Sequence, residues 1–163
     1  MALRKIITDS DSSLRKKSRP VEKFDRRLHA LLDDMTETLA DACGAGLAAP
    51  QIGVLRRVCI VNADEERGLV ELINPVITRT EGEQEGPEGC LSVPGKTGIV
   101  KRPFRVWVDA FDRSGKPFSV VGEDFEARAF CHEIDHLDGK LYTDIVIRYM
   151  TAEEIAALSG EDD

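Results

Sequence analysis

The sequence contains nothing close to the ~20 consecutive apolar residues of a membrane span. That excludes a helical membrane protein. It opens Met1-Ala2-Leu3-Arg4-Lys5-Ile6-Ile7-Thr8-Asp9, turning polar before an apolar signal segment can form, and the acids at 9 and 11 argue against an organelle transit peptide. Cysteine is scarce, with residues at 43, 59, 90 and 131 and no C-x-x-C. A disulfide framework is therefore not expected, and free thiols in a reducing, bacterial cytoplasm are. Positive charge is in deficit: 22 Lys and Arg against 30 Asp and Glu leave a net charge of −8. Such a field repels phosphate backbones and argues against nonspecific nucleic-acid binding as the main activity, and no specific nucleic acid is expected as a partner. The local basic run Arg15-Lys16-Lys17 with Arg19 reads as a solvated face. No repeat or Ser/Pro/Gly linker divides the chain. Histidine is scarce too, with three residues, so any two that fall together carry weight.

What is present is ordinary in bulk and specific in detail. The 163 residues are 42% hydrophobic and 32% charged, which fits one globular domain spanning 1–163. A domain of this size buries roughly 68–70% of its unfolded surface, enough for a core without cross-links. Leu28, Leu31, Leu32, Met35 and Leu39 recur at three- and four-residue steps and predict a helix from Asp25 to Cys43. Asp25 is its expected cap, with Gly44 as the left-handed residue past its end. The Gly/Ala-rich passage Gly44–Gln51 reads as too small-sided for a core element. Strands are expected at Val58–Val61 and Leu69–Ile77, and a polar loop over Thr80–Gly89. Val106–Phe111 and Phe118–Val121 predict a hairpin across Asp112–Gly115. A second helix is expected over Asp124–Leu137, closed by Gly139. Thr151 with Glu154 reads as a capping box for a short helix to Leu158, with 159–163 frayed. One helix, several antiparallel strands and a second helix carrying chemistry predict an α+β fold.

The chemistry lies in His132-Glu133-Ile134-Asp135-His136. A spacing of four puts both imidazoles on one helix face, able to bind one ion. Glu133 then sits beside the ion, placed to take a proton from water. Two histidines do not complete a catalytic metal site, which usually has three protein ligands and one open position. A carboxylate, His29 or a cysteine can supply the third. His29 falls in the amphipathic pattern of the first helix as a surface residue. Cys90 follows Gly89, where a glycine lets the backbone approach an ion. Cys43 and Cys59 read as filler.

Three motifs together resemble one family. Gly44-Ala45-Gly46-Leu47-Ala48-Ala49-Pro50-Gln51 is similar to the G-x-G-x-A-A-x-Q of peptide deformylases. Glu88-Gly89-Cys90-Leu91-Ser92 is similar to their E-G-C-L-S, and His132–His136 to their H-E-x-D-H. The order and separations also match, over nearly the whole chain. Cys131 departs from the pattern, which usually has Gln before the first histidine. The resemblance implies antiparallel strands around a central helix that carries the H-E-x-D-H motif. It implies a hydrolase that removes the N-formyl group from the formylmethionine end of nascent polypeptides and releases formate. Cys90, His132 and His136 would hold one divalent ion, Fe(II) by preference, with Zn, Ni or Co as substitutes. Glu133 would move the proton, while the Gln51 amide and the Leu91 backbone N–H would stabilise the oxyanion. Ala45, Gly46 and Gly89 would leave backbone groups open to an extended peptide. Leu91, Phe130 and Cys131 are the expected neighbours of the methionine side chain. Arg102 matches the arginine that pairs with Glu88, and Asp135 is open between a supporting role and a surface pairing. The implied partners are formyl-methionyl nascent peptides, with a transient ribosome contact and no membrane. Two rival readings keep the histidine motif: a zincin-type peptidase cutting ordinary peptide bonds, and a non-catalytic metal-stabilised binding module. The loop cysteine and the Gly44–Gln51 motif weigh against the first, and the retained Glu133 against the second.

Overall fold

The computed structural model describes residues 2–160. Helix α1 (Arg26–Ala42) starts where Asp25 accepts from the Leu28 N–H at 3.2 Å and buries Leu28, Leu31, Leu32, Met35 and Leu39. The residue past its end in left-handed conformation is Cys43, φ 56°, and not Gly44 as expected. Gly44 is small for a different reason. A Cβ there would stand 3.0 Å from Leu39 and 3.1 Å from Leu91, so the position needs room and not a positive φ.

Five strands form one antiparallel sheet: β1 (Gly46–Ala48), β2 (Val58–Val61), β3 (Val70–Glu81), β6 (Arg105–Phe111) and β7 (Pro117–Glu123), in the order β1-β2-β3-β6-β7. A second sheet has the order β4-β5-β8, from Gln84–Cys90, Val93–Arg102 and Val146–Tyr149. The hairpin β6–β7 forms in the expected place, with Phe111 opposite Pro117. Two expectations fail. The Gly/Ala passage contains β1, whose Leu47 and Ala48 are fully buried. Small side chains let that strand lie between α1 and the second helix. The polar stretch read as a loop holds most of β4, paired to β5 from Gln84 opposite Arg102 to Glu88 opposite Gly98. A backbone ladder holds this strand although few of its side chains are buried. It is an edge strand, which is why Pro87 is tolerated within it.

Helix α2 (Phe125–Leu137) runs against the five-stranded sheet and is buried on almost every side, as expected of a helix in the middle of a fold. Gly139, φ 73°, closes it, donating to the His136 carbonyl at 3.1 Å. Helix α3 (Ala152–Gly160) opens on the expected capping box: Thr151 Oγ1 accepts from the Glu154 N–H and Glu154 Oε1 from the Thr151 N–H, both at 3.1 Å. Ser159 and Gly160, the start of the tail expected to fray, fall within this helix, while 161–163 lie outside the described residues. All four cysteines are free thiols.

Candidate active site

Three elements meet at one cavity of about 310 Å³, lined by residues of Gly44–Gly46, β4 and α2. Cys90 ends β4, and Leu91-Ser92 make the tight turn into β5. This hairpin carries the Cys90 thiol to α2, where Sγ lies 3.4 Å from His136 Nε2. One ligand atom each from Cys90, His132 and His136 fall within 4.8 Å of one another. Cys90 is the third partner in this cluster. His29 is elsewhere, half-buried, with Nε2 2.7 Å from the Arg113 carbonyl.

The imidazoles are held from behind. His132 Nδ1 lies 2.7 Å from Glu88 Oε1, which leaves Nε2 to face the cluster, and the ring stacks on buried Tyr142 at 6.1 Å. Glu88 is also gripped by Arg102, Nε to Oε2 and a terminal nitrogen to Oε1 at 2.9 Å each, and by Arg128 at 2.7 Å. Burial would raise the Glu88 pKa, but the hydrogen bonds from Arg102 and His132 pull it far below the usual carboxylate range. Asp135 makes no surface pairing on the helix; it accepts from Arg102 at 2.7 Å. Burial pushes the His136 pKa well down, with His132 adding to the shift. Burial would lower His132 likewise, yet Glu133, Cys90 and Glu88 hold it well above the ordinary value.

Glu133 faces the cavity and is 5% exposed. Its Oε1 is buried without a hydrogen-bond partner, and burial raises its pKa to about 7. Gln51 is pinned at both ends: Oε1 accepts from the Ala48 N–H at 2.9 Å, and Nε2 donates to Ser92 Oγ at 3.1 Å and toward Cys90 Sγ at 3.6 Å. Leu91, Ala45, Gly46 and Gly89 all line the cavity. Gly46 also packs closely against Glu133. A Cβ there would lie 2.6 Å from Glu133 Oε2 and 2.8 Å from its Cγ. Gly46→Ala should therefore displace the carboxylate and cut kcat by about 10²-fold, since a misplacement near 1 Å costs that much. Metal content by elemental analysis should not change. A Cβ at Gly89 meets nothing closer than 3.8 Å, so this steric clash is particular to Gly46.

Phe130 and Cys131 were expected beside the substrate side chain and are not there. Phe130 is fully buried in the core of the five-stranded sheet, pressed against Gly122. At 100° per residue, the helix face toward the cavity instead carries Phe125, Arg128, Ala129 and His132. Helical spacing backwards from His132 contains that signal. Ser92 and Tyr142 were also missed; no sequence pattern joins Tyr142 to the ring of His132.

A model of the polypeptide deformylase family matches residues 3–151. The chain belongs to that family. It is 56% identical over 155 residues to the peptide deformylase of Caldicellulosiruptor bescii, covering 95% of this chain and 92% of the relative. A crystal structure of the Legionella pneumophila peptide deformylase aligns with TM-score 0.84 at 42% identity, covering 98% of this chain and 92% of that one. An Acinetobacter baumannii peptide deformylase with Met-Ala-Ser bound aligns with TM-score 0.84 at 30% identity, covering 89% and 99%. Family members are metal-dependent enzymes that remove the N-formyl group from nascent peptides.

Proposed function

We propose that the domain spanning 1–163 hydrolyses the formamide of formyl-methionyl peptides at the Cys90–His132–His136 cluster. The observation that carries this is the convergence of three ligand atoms beside a carboxylate oxygen that is buried and unpartnered. The residues fit a metal ion. One thiolate and two imidazole nitrogens suit a soft-to-borderline divalent metal and leave a position open. When bound, that ion supplies Lewis acidity to the formyl carbonyl and lowers the pKa of water. Glu133, with a pKa near 7, takes the proton of the attacking water and returns it to the departing amine nitrogen. The Gln51 amide and the Leu91 N–H donate to the oxyanion as charge develops. Gln51 is already oriented, because its carbonyl end is tied to the Ala48 N–H. Leu91, Phe125 and Ala129 offer the apolar wall for the methionine side chain, and the Acinetobacter relative holds a peptide that begins with methionine. The edge strand β4 next to the cavity supports an extended peptide bound through its main chain.

Formate release from a formyl-Met peptide, set against the acetyl-Met analogue, tests the reading. Release from the formyl peptide alone is expected, and cleavage of internal peptide bonds would turn the assignment to a peptidase. Gln51→Leu keeps bulk and removes the donor, so kcat should fall roughly 10²–10³-fold with metal content unchanged. A change confined to KM would place Gln51 in ground-state binding.

Fe(II) is the ion we assign. Iron-loaded protein should lose activity in air with oxidation mapping to Cys90, while nickel- or zinc-loaded protein persists. Cys131 is a poor competitor for oxidant, because burial pushes its thiol up to about 11. Peptide mass spectrometry showing only Cys131 modified would relocate the sensitivity. A cytoplasmic setting and a transient ribosome contact belong to the same reading, since formylated termini arise on chains still being made. The relatives are bacterial, and no helix of the described residues is long and apolar enough to cross a membrane.

A further inference from the structure

Arg128 belongs to none of the motifs above, yet its side chain is deeply buried at the cavity wall. It lies one turn before His132 on α2, so the two side chains share a face. Both reach the same carboxylate. His132 Nδ1 is 2.7 Å from Glu88 Oε1, and an Arg128 terminal nitrogen donates to Oε2 at 2.7 Å and to the Val100 carbonyl at 3.1 Å. Its other terminal nitrogen reaches Gln84 at 3.4 Å. A Cβ on Gly86 would stand 3.1 Å from that nitrogen, so a glycine in β4 makes the space the guanidinium occupies.

We infer that Arg128 is a positioning residue for His132, acting through Glu88 from the wall of the substrate cavity. Arg102 holds Glu88 from β5. Arg128 holds it from the helix that carries His132. The carboxylate is thus fixed relative to α2 by two contacts one turn apart, and the imidazole cannot swing without breaking one. Charge balance permits the burial. Arg102 and Arg128 face Glu88 and Asp135, two cations against two anions. Partners that orient metal-binding histidines typically matter 10–100-fold in metal affinity.

The inference rests on the metal reading, so its test carries two readouts. Zinc affinity is measured by competition with a chromophoric chelator, and the hydrogen-bonded Nδ1 proton of His132 is followed downfield in proton spectra, with and without zinc. Arg128→Met should weaken zinc about 10–100-fold and broaden the Nδ1 resonance, whereas Arg128→Lys, which keeps a cationic donor, should recover most of both. Wild-type affinity with a sharp resonance in Arg128→Met overturns the inference, as does tighter zinc, which would make Arg128 a charge and not a clamp. Should Arg128→Met fail to fold, Gly86→Ala displaces the guanidinium and keeps its charge. A smaller loss in both readouts is then expected in Gly86→Ala, and wild-type values of both in that variant overturn the inference. Cys90→Ser separates the two claims. Zinc affinity indifferent to that change removes the metal reading, while the Nδ1 resonance still reports on Arg128.

Discussion

Glu133→Ala is expected to keep its metal and slow deformylation by 10²–10⁴-fold, the range for loss of a general acid–base. The carboxylate is outside the three-atom cluster of Cys90, His132 and His136, so its removal takes away no ligand. What disappears is a carboxyl at the cavity wall that can hold a proton near neutrality. Its pKa near 7 comes from burial first, and it leaves the carboxyl able both to accept and to return a proton in one turnover. Elemental analysis alongside kcat checks the claim. A metal-loaded variant with near-full activity would take Glu133 out of the role, and a variant that loses metal would make it a ligand.

Glu88→Leu should be the most destabilising single change at the site. The side chain is 4% exposed and meets Arg102 at 2.9 Å, Arg128 at 2.7 Å and His132 at 2.7 Å. Leucine leaves two buried guanidiniums facing an apolar group, with only the half-buried Asp135 to compensate. Removing one partner from a buried pair costs about 3–5 kcal/mol, which for a domain of this length lowers Tm by roughly 6–20 °C. Thermal unfolding of the metal-free protein measures this without the metal's own contribution. The exposed pair Arg148–Glu154, bonded at 2.9 Å, supplies the contrast. Arg148→Gln, which removes this pair and leaves the Thr151–Glu154 cap intact, should leave Tm nearly unmoved, because water and salt screen a surface pair. Equal losses for both would show that burial of the Glu88 network does not decide its importance.

Elements that keep a regular side-chain period are legible in the sequence. Helix α1 shows its leucines at helical steps, and the β6–β7 hairpin shows apolar runs on either side of Asp112–Gly115. Strand β4 was not legible, because a paired edge strand can be polar, glycine-rich and interrupted by proline while its backbone does the bonding. Strand β1 was hidden for the opposite reason: its residues are small because two helices press on it, and small residues carry little periodic signal.

At the site, the sequence alone determined the local chemistry. His132, Glu133 and His136 lie within one turn and a residue of each other, so helix geometry by itself places both imidazoles on one face with the carboxylate beside them. The family motifs added Cys90, Gln51 and Leu91. Only tertiary structure decided what those groups lean on. It packed Gly46 against Glu133, tied Gln51 to Ser92, and added Arg128 on Glu88 and Asp135 on Arg102 to the Glu88–Arg102 pair that the motifs had already implied. Phe130, expected at the substrate, went to the sheet, and Phe125 took the cavity. The physical reason is one of range: helical spacing fixes neighbours within a turn, whereas a buried charge finds its partners wherever the chain brings them, here 40 residues away in the Arg128–Glu88 contact and 44 in the His132–Glu88 contact.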